Sequence, residues 1–381
     1  MTKLRKLWVL ALVLVLCTIC LMGCQSGQNE QDNTQNPSEN NVTEEGTQTE
    51  STEVDVTESE STEEDTTVKL EPYDATRENP LTGLIDMTVE AKDKRPVAVM
   101  VNNTTKGFPQ YGIEEADIIF EIPVEGGLTR FMVMYADYTQ VPNVCSVRSV
   151  RKYFPAISEG FDAIFINLGR NEVIIPYLES LNLTRYEGLF NEGGLFTDDK
   201  ERKKAGYSLE YTHIFQGPEL AARLKKDKAR VDIEDDKKGN AFNFYPYGEE
   251  VALTGTSCVK AKIDFGAVTA TLKYDTATQK YYKEYNGKAQ IDGSTGNQLS
   301  FTNVFVLETK IKADANGIHR DVNWKGGKGY YISNGIIQNI TWSKASEEDP
   351  ILLFDENGNE LTINRGKSYF AINYIGEAKF E

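Results

Sequence analysis

"ADIIFEIPVEGGLTRFMVMY", Ala116 to Tyr135, holds two short apolar runs with a Gly126-Gly127 pair between them. Runs of this length and composition read as strands, and the paired glycines read as a tight connection. "RPVAVMVNN", Arg95 to Asn103, is a third strand of the same kind, entered through Pro96. Downstream the pattern changes to strands alternating with helices. A helix is expected from Ser149 to about Glu159, a buried strand at "FDAIFINLG", and a second helix at "NEVIIPYLESLNL" with Pro176 in its first turns. "GPELAARLKKD" gives the clearest helix, with Pro218 in the first turn, Leu220 and Leu224 on one face and lysines at the end. This alternation predicts an α/β-like N-terminal domain over 71–238.

From residue 239 onward the composition shifts. "ATLKYDTATQKYYKEYNGKAQID" reads as two strands joined by a turn around Asp275 to Thr278. Asn316-Gly317, Asn334-Gly335 and Asn357-Gly358 punctuate further runs of Tyr, Val, Ile and Thr. Asn-Gly is the strongest short signal for a hairpin turn, so 239–381 is expected to be a β-rich C-terminal domain. The fold class read from the whole chain is α+β.

The chain begins with Lys3, Arg5 and Lys6, followed by an apolar run from Leu7 to Met22 and then Gly23-Cys24. Residues 1–23 therefore read as a secretory signal peptide, too short in its apolar run for a spanning helix. "LMGC" resembles the lipobox of bacterial lipoproteins, which implies cleavage before Cys24 and diacylation of its sulfur. Two acyl chains suffice for stable anchoring, and the expected location is the outer face of the cytoplasmic membrane. Residues 24–70 then form an acidic linker with almost no bulky apolar residue. It has too little surface to bury to offset its ordering entropy. Thirteen acids stand there against Lys69 alone, so the linker carries most of the net charge of −17. A coil of that length spans about 40 Å and serves as a spacer. The acidic balance argues against nucleic acid as a partner. Of the five cysteines, Cys145 and Cys258 fall in the folded body, either as a disulfide or as two buried free thiols.

Chemistry concentrates in "VCSVRSVRKYFPA", Val144 to Ala156. Arg148 and Arg151 share a face if a helix begins there, and Ser149 caps it or donates to the same ligand. Guanidinium forks suit carboxylate and phosphate groups. Arg130 and Arg170 follow strand or loop ends and join the candidate site. The alternative is that these arginines pair internally with Glu121, Glu125 or Asp162. Ser149 and Lys152 also match a Ser-x-x-Lys nucleophile pair, in which a buried neutral lysine takes the serine proton. That motif is weak, since Ser257 and Lys260 match it too and no Lys-Thr-Gly strand accompanies it. The two histidines, His213 and His319, lack the spacing of zinc ligands, so no metal and no cofactor is expected.

The motifs taken in order resemble the YerB-like lipoproteins of spore-forming and related Gram-positive bacteria, a two-module family of unknown biochemical function. "NPLTGL", "RPVAVMVNN", "ADIIFEIPVEGGLTRFMVMY", "SVRSVRKYF", "DGSTGNQL" with "NVFVL", and "ITWSK" followed by "FDENGNELTINRGKSYFAI" carry the resemblance. Where the family reads Arg-x-x-Ala-Pro-His-Asn, this chain has Arg202-Lys203-Lys204-Ala205-Gly206-Tyr207-Ser208. Any chemistry built on that histidine is therefore closed to this chain in the same form. The resulting expectation is a lipid-anchored, extracytoplasmic binding or scaffold protein. Its partner would be an anionic cell-wall polymer or another envelope protein. The alternative is a cell-wall hydrolase or transferase using Ser149 and Lys152.

Overall fold

The computed structural model describes residues 72–381 except 191–193, 250–252 and 316. The signal peptide, Cys24, the acidic linker and Asn316 of one expected turn lie outside the described residues. In the first half the strands are β1 (Val97–Asn103), β2 (Ile118–Pro123), β3 (Thr129–Tyr135), β4 (Asn143–Cys145), β5 (Ile164–Asn167), β6 (Arg185–Glu187), β7 (Phe196–Asp198) and β8 (His213–Gln216). The α-helices are α1 (Tyr153–Glu159), α2 (Ile175–Ser180), α3 (Lys200–Lys204) and α4 (Leu220–Asp227). β2 and β3 pair antiparallel from Ile118↔Met134 to Pro123↔Thr129, and β1 pairs with the other edge of β3. Gly126 and Gly127 both take positive φ between them, which side chains tolerate poorly. All residues of β1, β2, β3 and β5 are buried. That explains why these strands read as continuous apolar runs: both faces are covered.

The second half contributes β9 (Asn243–Phe244), β10 (Thr256–Ser257), β11 (Lys260–Asp264), β12 (Thr269–Asp275), β13 (Lys280–Tyr285), β14 (Lys288–Ala289), β15 (Ser300–Phe301) and β16 (Asn303–Thr309). It continues with β17 (Ile311–Ala313), β18 (Arg320–Val322), β19 (Gly326–Ser333), β20 (Ile336–Ser343), β21 (Leu352–Phe354), β22 (Thr362–Ile363), β23 (Ser368–Tyr374) and β24 (Ala378–Phe380). β19 and β20 form the hairpin expected at Asn334-Gly335, both of which have positive φ. The fold is mixed α+β, with the second half rich in strands.

Both halves build one large sheet, in the order β10-β20-β19-β16-β23-β2-β3-β1-β5-β6, with β21 on β20. The halves meet where β23 runs parallel to β2, from Ile118↔Ser368 to Glu121↔Ala371. Phe370 stacks there on Phe120 at 4.9 Å and on Phe305 at 4.3 Å. A second sheet, β14-β13-β12-β11-β24 with β15 on β13, alternates buried and exposed along β11 and β13. The segments 71–238 and 239–381 thus lie within one compact unit that spans Val68–Glu381.

One expected boundary moves. The helix read from Ser149 begins at Tyr153. The preceding backbone is already committed elsewhere: Arg148 N–H donates to Met100 O, Val150 N–H to Gly169 O, and Leu168 N–H to Arg148 O. Those bonds hold the segment extended along β1 and the loop after β5. Cys145 and Cys258 are buried free thiols, pushed up by burial to about 12 and about 11.

An ion pair fully inside the body ties the second sheet to the first. Lys283 Nζ of β13 lies 3.0 Å from Glu121 Oε2 of β2, and both side chains are fully buried. Tyr369 Oη donates to Glu121 Oε2 at 2.7 Å, and Asn103 Nδ2 and Thr129 Oγ1 donate to Oε1. Lys283 also donates to Gln290 Oε1, whose amide returns to Asn103 Oδ1 at 2.8 Å. Burial draws the lysine below its usual range, and Glu121 opposes that shift. Removing one partner strands the other charge in the core, so Glu121→Ala is expected to lower the unfolding free energy by about 3–5 kcal/mol. Glu121→Gln combined with Lys283→Met should cost less than the sum of its single variants in urea unfolding. Strict additivity would mean that the two groups do not act as a pair.

Candidate functional site

Two of the arginines singled out in the sequence, Arg130 and Arg151, converge on Glu125, in the turn between β2 and β3. Arg151 grips this carboxylate with two donors, Nε at 2.9 Å and Nη2 on the other oxygen. Arg130, only 6% exposed, points Nη2 at Glu125 Oε1 from 3.9 Å and donates Nη1 to Ser149 O at 2.5 Å. Burial first, then Arg151, lowers the Arg130 guanidinium to about 9, so it stays charged at neutral pH. Burial alone would raise the Glu125 carboxyl. The Arg151 hydrogen bonds and charge, helped by Arg130, win and hold it at about 2.

Arg148 turns away, pairs with Glu210 at 2.7 Å and lies over the Tyr211 ring. Arg170 reaches Glu187 at 3.2 Å, a carboxylate shared with Arg185. The internal pairing considered for these arginines is therefore present for Arg130 and Arg151 through Glu125. Glu121 and Asp162 serve other cations, Lys283 for the first and Arg95 with Arg230 for the second. Ser149 packs against Gly169, whose added Cβ would lie 2.6 Å from its Oγ. Lys152 projects away to sit 5.1 Å above the Tyr177 ring, and no hydrogen bond joins it to Ser149 among the described residues. With the helix starting at Tyr153, the one-turn geometry required of the Ser149–Lys152 pair is not formed.

Two adjoining cavities flank this cluster. The larger, of about 1200 Å³, runs between the start of α1, the loop after β11 and the β17–β18 hairpin. The smaller, about 350 Å³, lies between α2 and the same hairpin. Lys152, Arg320, Asp321, Val322 and Trp324 line both. Lys152 and Arg320 make no ion pair among the described residues. His319 Nε2 meets Asn171 Nδ2 at 2.7 Å. Asn171 Oδ1 is occupied by Val173 N–H, so the amide donates to Nε2 and Nδ1 carries a ring proton, 3.6 Å from Glu125 Oε2. That Nδ1, Arg320 Nε and Tyr177 Oη are all buried without a hydrogen-bond partner.

The sequence pointed to the first wall of this cleft and missed the second. His319 stood out only as lacking the spacing of a zinc ligand, while Arg320 and Trp324 carried no motif at all. They stand about 170 residues downstream of Arg148, and only the sheet brings them near. The Arg202–Ser208 segment lies elsewhere: Arg202 is buried against Tyr111 and Tyr207, and it donates to Tyr211 O and Gly107 O.

The Glu125 clamp has a pH signature. Its folded carboxyl lies below the ordinary 4.5, so its stabilisation is complete above that pH and fades as pH falls toward about 2. Glu125→Gln should therefore be less stable than the parent at pH 7. The gap should close between about pH 4.5 and 2, as read by denaturant unfolding at each pH. A gap independent of pH would place the loss in packing.

Two family models match the chain. One, described as "Protein of unknown function (DUF3048) N-terminal domain", covers residues 81–230, and its C-terminal counterpart covers 261–370. The chain is 29% identical over 275 residues to the Bacillus subtilis (strain 168) protein named "Putative lipoprotein YerB", covering 70% of this chain and 78% of that one. The crystal structure of the YerB protein from Bacillus subtilis matches with a TM-score of 0.68 at 26% identity, covering 79% of this chain and 98% of its own. Two matched modules in order, a curated relative and a solved structure of the same fold agree: the chain belongs to the YerB-like family of paired DUF3048 modules.

Proposed function

We propose that the protein is a non-enzymatic envelope binding protein. It would be held at the outer face of the cytoplasmic membrane by lipid on Cys24, with its acidic linker lifting the body off the bilayer. The body recognises an anionic group of a cell-wall polymer or an envelope protein. The lipoprotein name of the Bacillus subtilis relative supports the anchor, as does the lipobox-like "LMGC".

One observation carries the binding role: Lys152 and Arg320 line both cavities while Glu125 and Glu210 already neutralise Arg151 and Arg148. A cation facing a cavity without a carboxylate keeps its donors for a ligand, and a guanidinium binds carboxylate or phosphate through its fork. Arg151 then acts as a wall of the site, fixed in place by Glu125. Arg130 and Ser149 brace that wall from behind, and Arg170 is occupied at Glu187. The hydrolase alternative has less support, because Ser149 and Lys152 do not meet.

The body forms its own compact unit, so residues 68–381 suit a test without the anchor. Lys152→Ala with Arg320→Ala should reduce retention on purified wall fragments at least tenfold. Rising salt should weaken the parent in the same way. Lys273→Ala, an exposed cation on the second sheet, should bind like the parent. Loss of retention in Arg148→Ala with none in the double variant would move the site to the Glu210 side. Release of soluble wall products would replace binding with catalysis.

A further inference from the structure

We infer that the cleft takes a short amphoteric peptide, with its free carboxylate at Lys152 and Arg320 and a free ammonium group at the carboxylates that line the larger cavity. This rests on the anion-binding reading and names the ligand class for that same site.

Charge of both signs faces the larger cavity. Asp264, Glu347 and Glu377 line it, and none of them makes an ion pair among the described residues. Lys310 stands on the same wall, also without one. Lys325 lines it too, as do Lys312 and Asp321, 3.5 Å apart, so the wall is close to neutral and offers a polyanion little net attraction. A ligand with one charge of each sign satisfies both sets of groups.

Size points the same way. Ligand pockets commonly measure about 300–1,000 Å³, and the larger cavity, at about 1200 Å³, exceeds what a lone inorganic anion fills. Its walls include Phe265, Val322, Trp324 and Ile375, the last 62% exposed, which offer apolar surface to side-chain stems. The two aromatic rings nearest the cations are already flanked by ammonium groups: Tyr177 by Lys152, and Trp324 by Lys325 and Lys344 at 5.7 and 5.8 Å. Those flanking groups leave little open ring face for stacking a sugar. At the smaller cavity the unpartnered donors Tyr177 Oη and Arg320 Nε call for acceptor oxygens, as a carboxylate and peptide carbonyls provide.

Titration calorimetry on the body tests this with a tripeptide that carries a free carboxy-terminus and a lysine side chain. Its amine-acetylated form, its amidated form and inorganic phosphate complete the set. The parent peptide should bind at least tenfold tighter than either blocked form. Glu347→Gln with Glu377→Gln should erase the preference for the free amine while leaving the acetylated peptide's affinity unchanged. The double variant of Lys152 and Arg320 should erase the preference for the free carboxylate. Terminal residues of D and L configuration separate the sources: a D preference assigns the ligand to wall peptide, an L preference to a protein carboxy-terminus. If acetylation of the amine changes nothing, the amphoteric class is overturned while anion binding stands. If phosphate binds as tightly as the peptide, the peptide class is overturned. If no probe binds, both readings fall together.

Discussion

The buried pair of Glu121 and Lys283 constrains everything built around it. A carboxylate and an ammonium with no water contact cost several kcal/mol each to desolvate, and the fold persists only if every remaining donor and acceptor is met. Here the demand is met by groups from both halves of the chain: Asn103 and Thr129 from the first, Tyr369 and Gln290 from the second. The network therefore specifies how the second sheet docks on the large one, since a shifted docking would leave a charge alone in the core. Apolar packing tolerates small slips, and a buried charge does not.

The same junction decides where a site is possible. β23 enters the large sheet beside β2, and the Phe120–Phe370–Phe305 stack fills the seam. Once that seam is made, the β17–β18 hairpin stands opposite α1 and α2. Lys152 and Tyr177 come from one half, Arg320 and Trp324 from the other. Neither half contains the cleft by itself.

Within the cleft, the fold divides its cations into two groups. Arg151 and Arg130 share the carboxylate of Glu125, and Arg148 and Arg170 have acids of their own. These pairs stiffen the wall. Lys152, Arg320 and Lys310 face the cavity with no such partner, alongside Asp264, Glu347 and Glu377, which are equally without an ion pair among the described residues. Recognition belongs to the second group, because a charge already satisfied inside the protein gains little from a ligand.

Local pattern was enough to place most elements. The apolar runs of β1, β2 and β3, the Gly126-Gly127 turn, the α4 signals at Pro218, Leu220 and Leu224, and the Asn334-Gly335 hairpin all follow from side-chain size, φ preference and hydrophobic period, which act over a few residues. The start of α1 did not follow, because the backbone of 147–150 bonds to β1 and to the loop after β5, partners at a distance in the chain. Glu121 stands out within an apolar run as a candidate internal partner for the arginines, but nothing local nominates Lys283, and their pairing exists only once two sheets meet. The arginine cluster was visible as composition. Which of its members are neutralised, and which face a cavity opposite Arg320, depended on the tertiary structure. An ion pair is a matter of distance in space, and sequence separation carries no information about it.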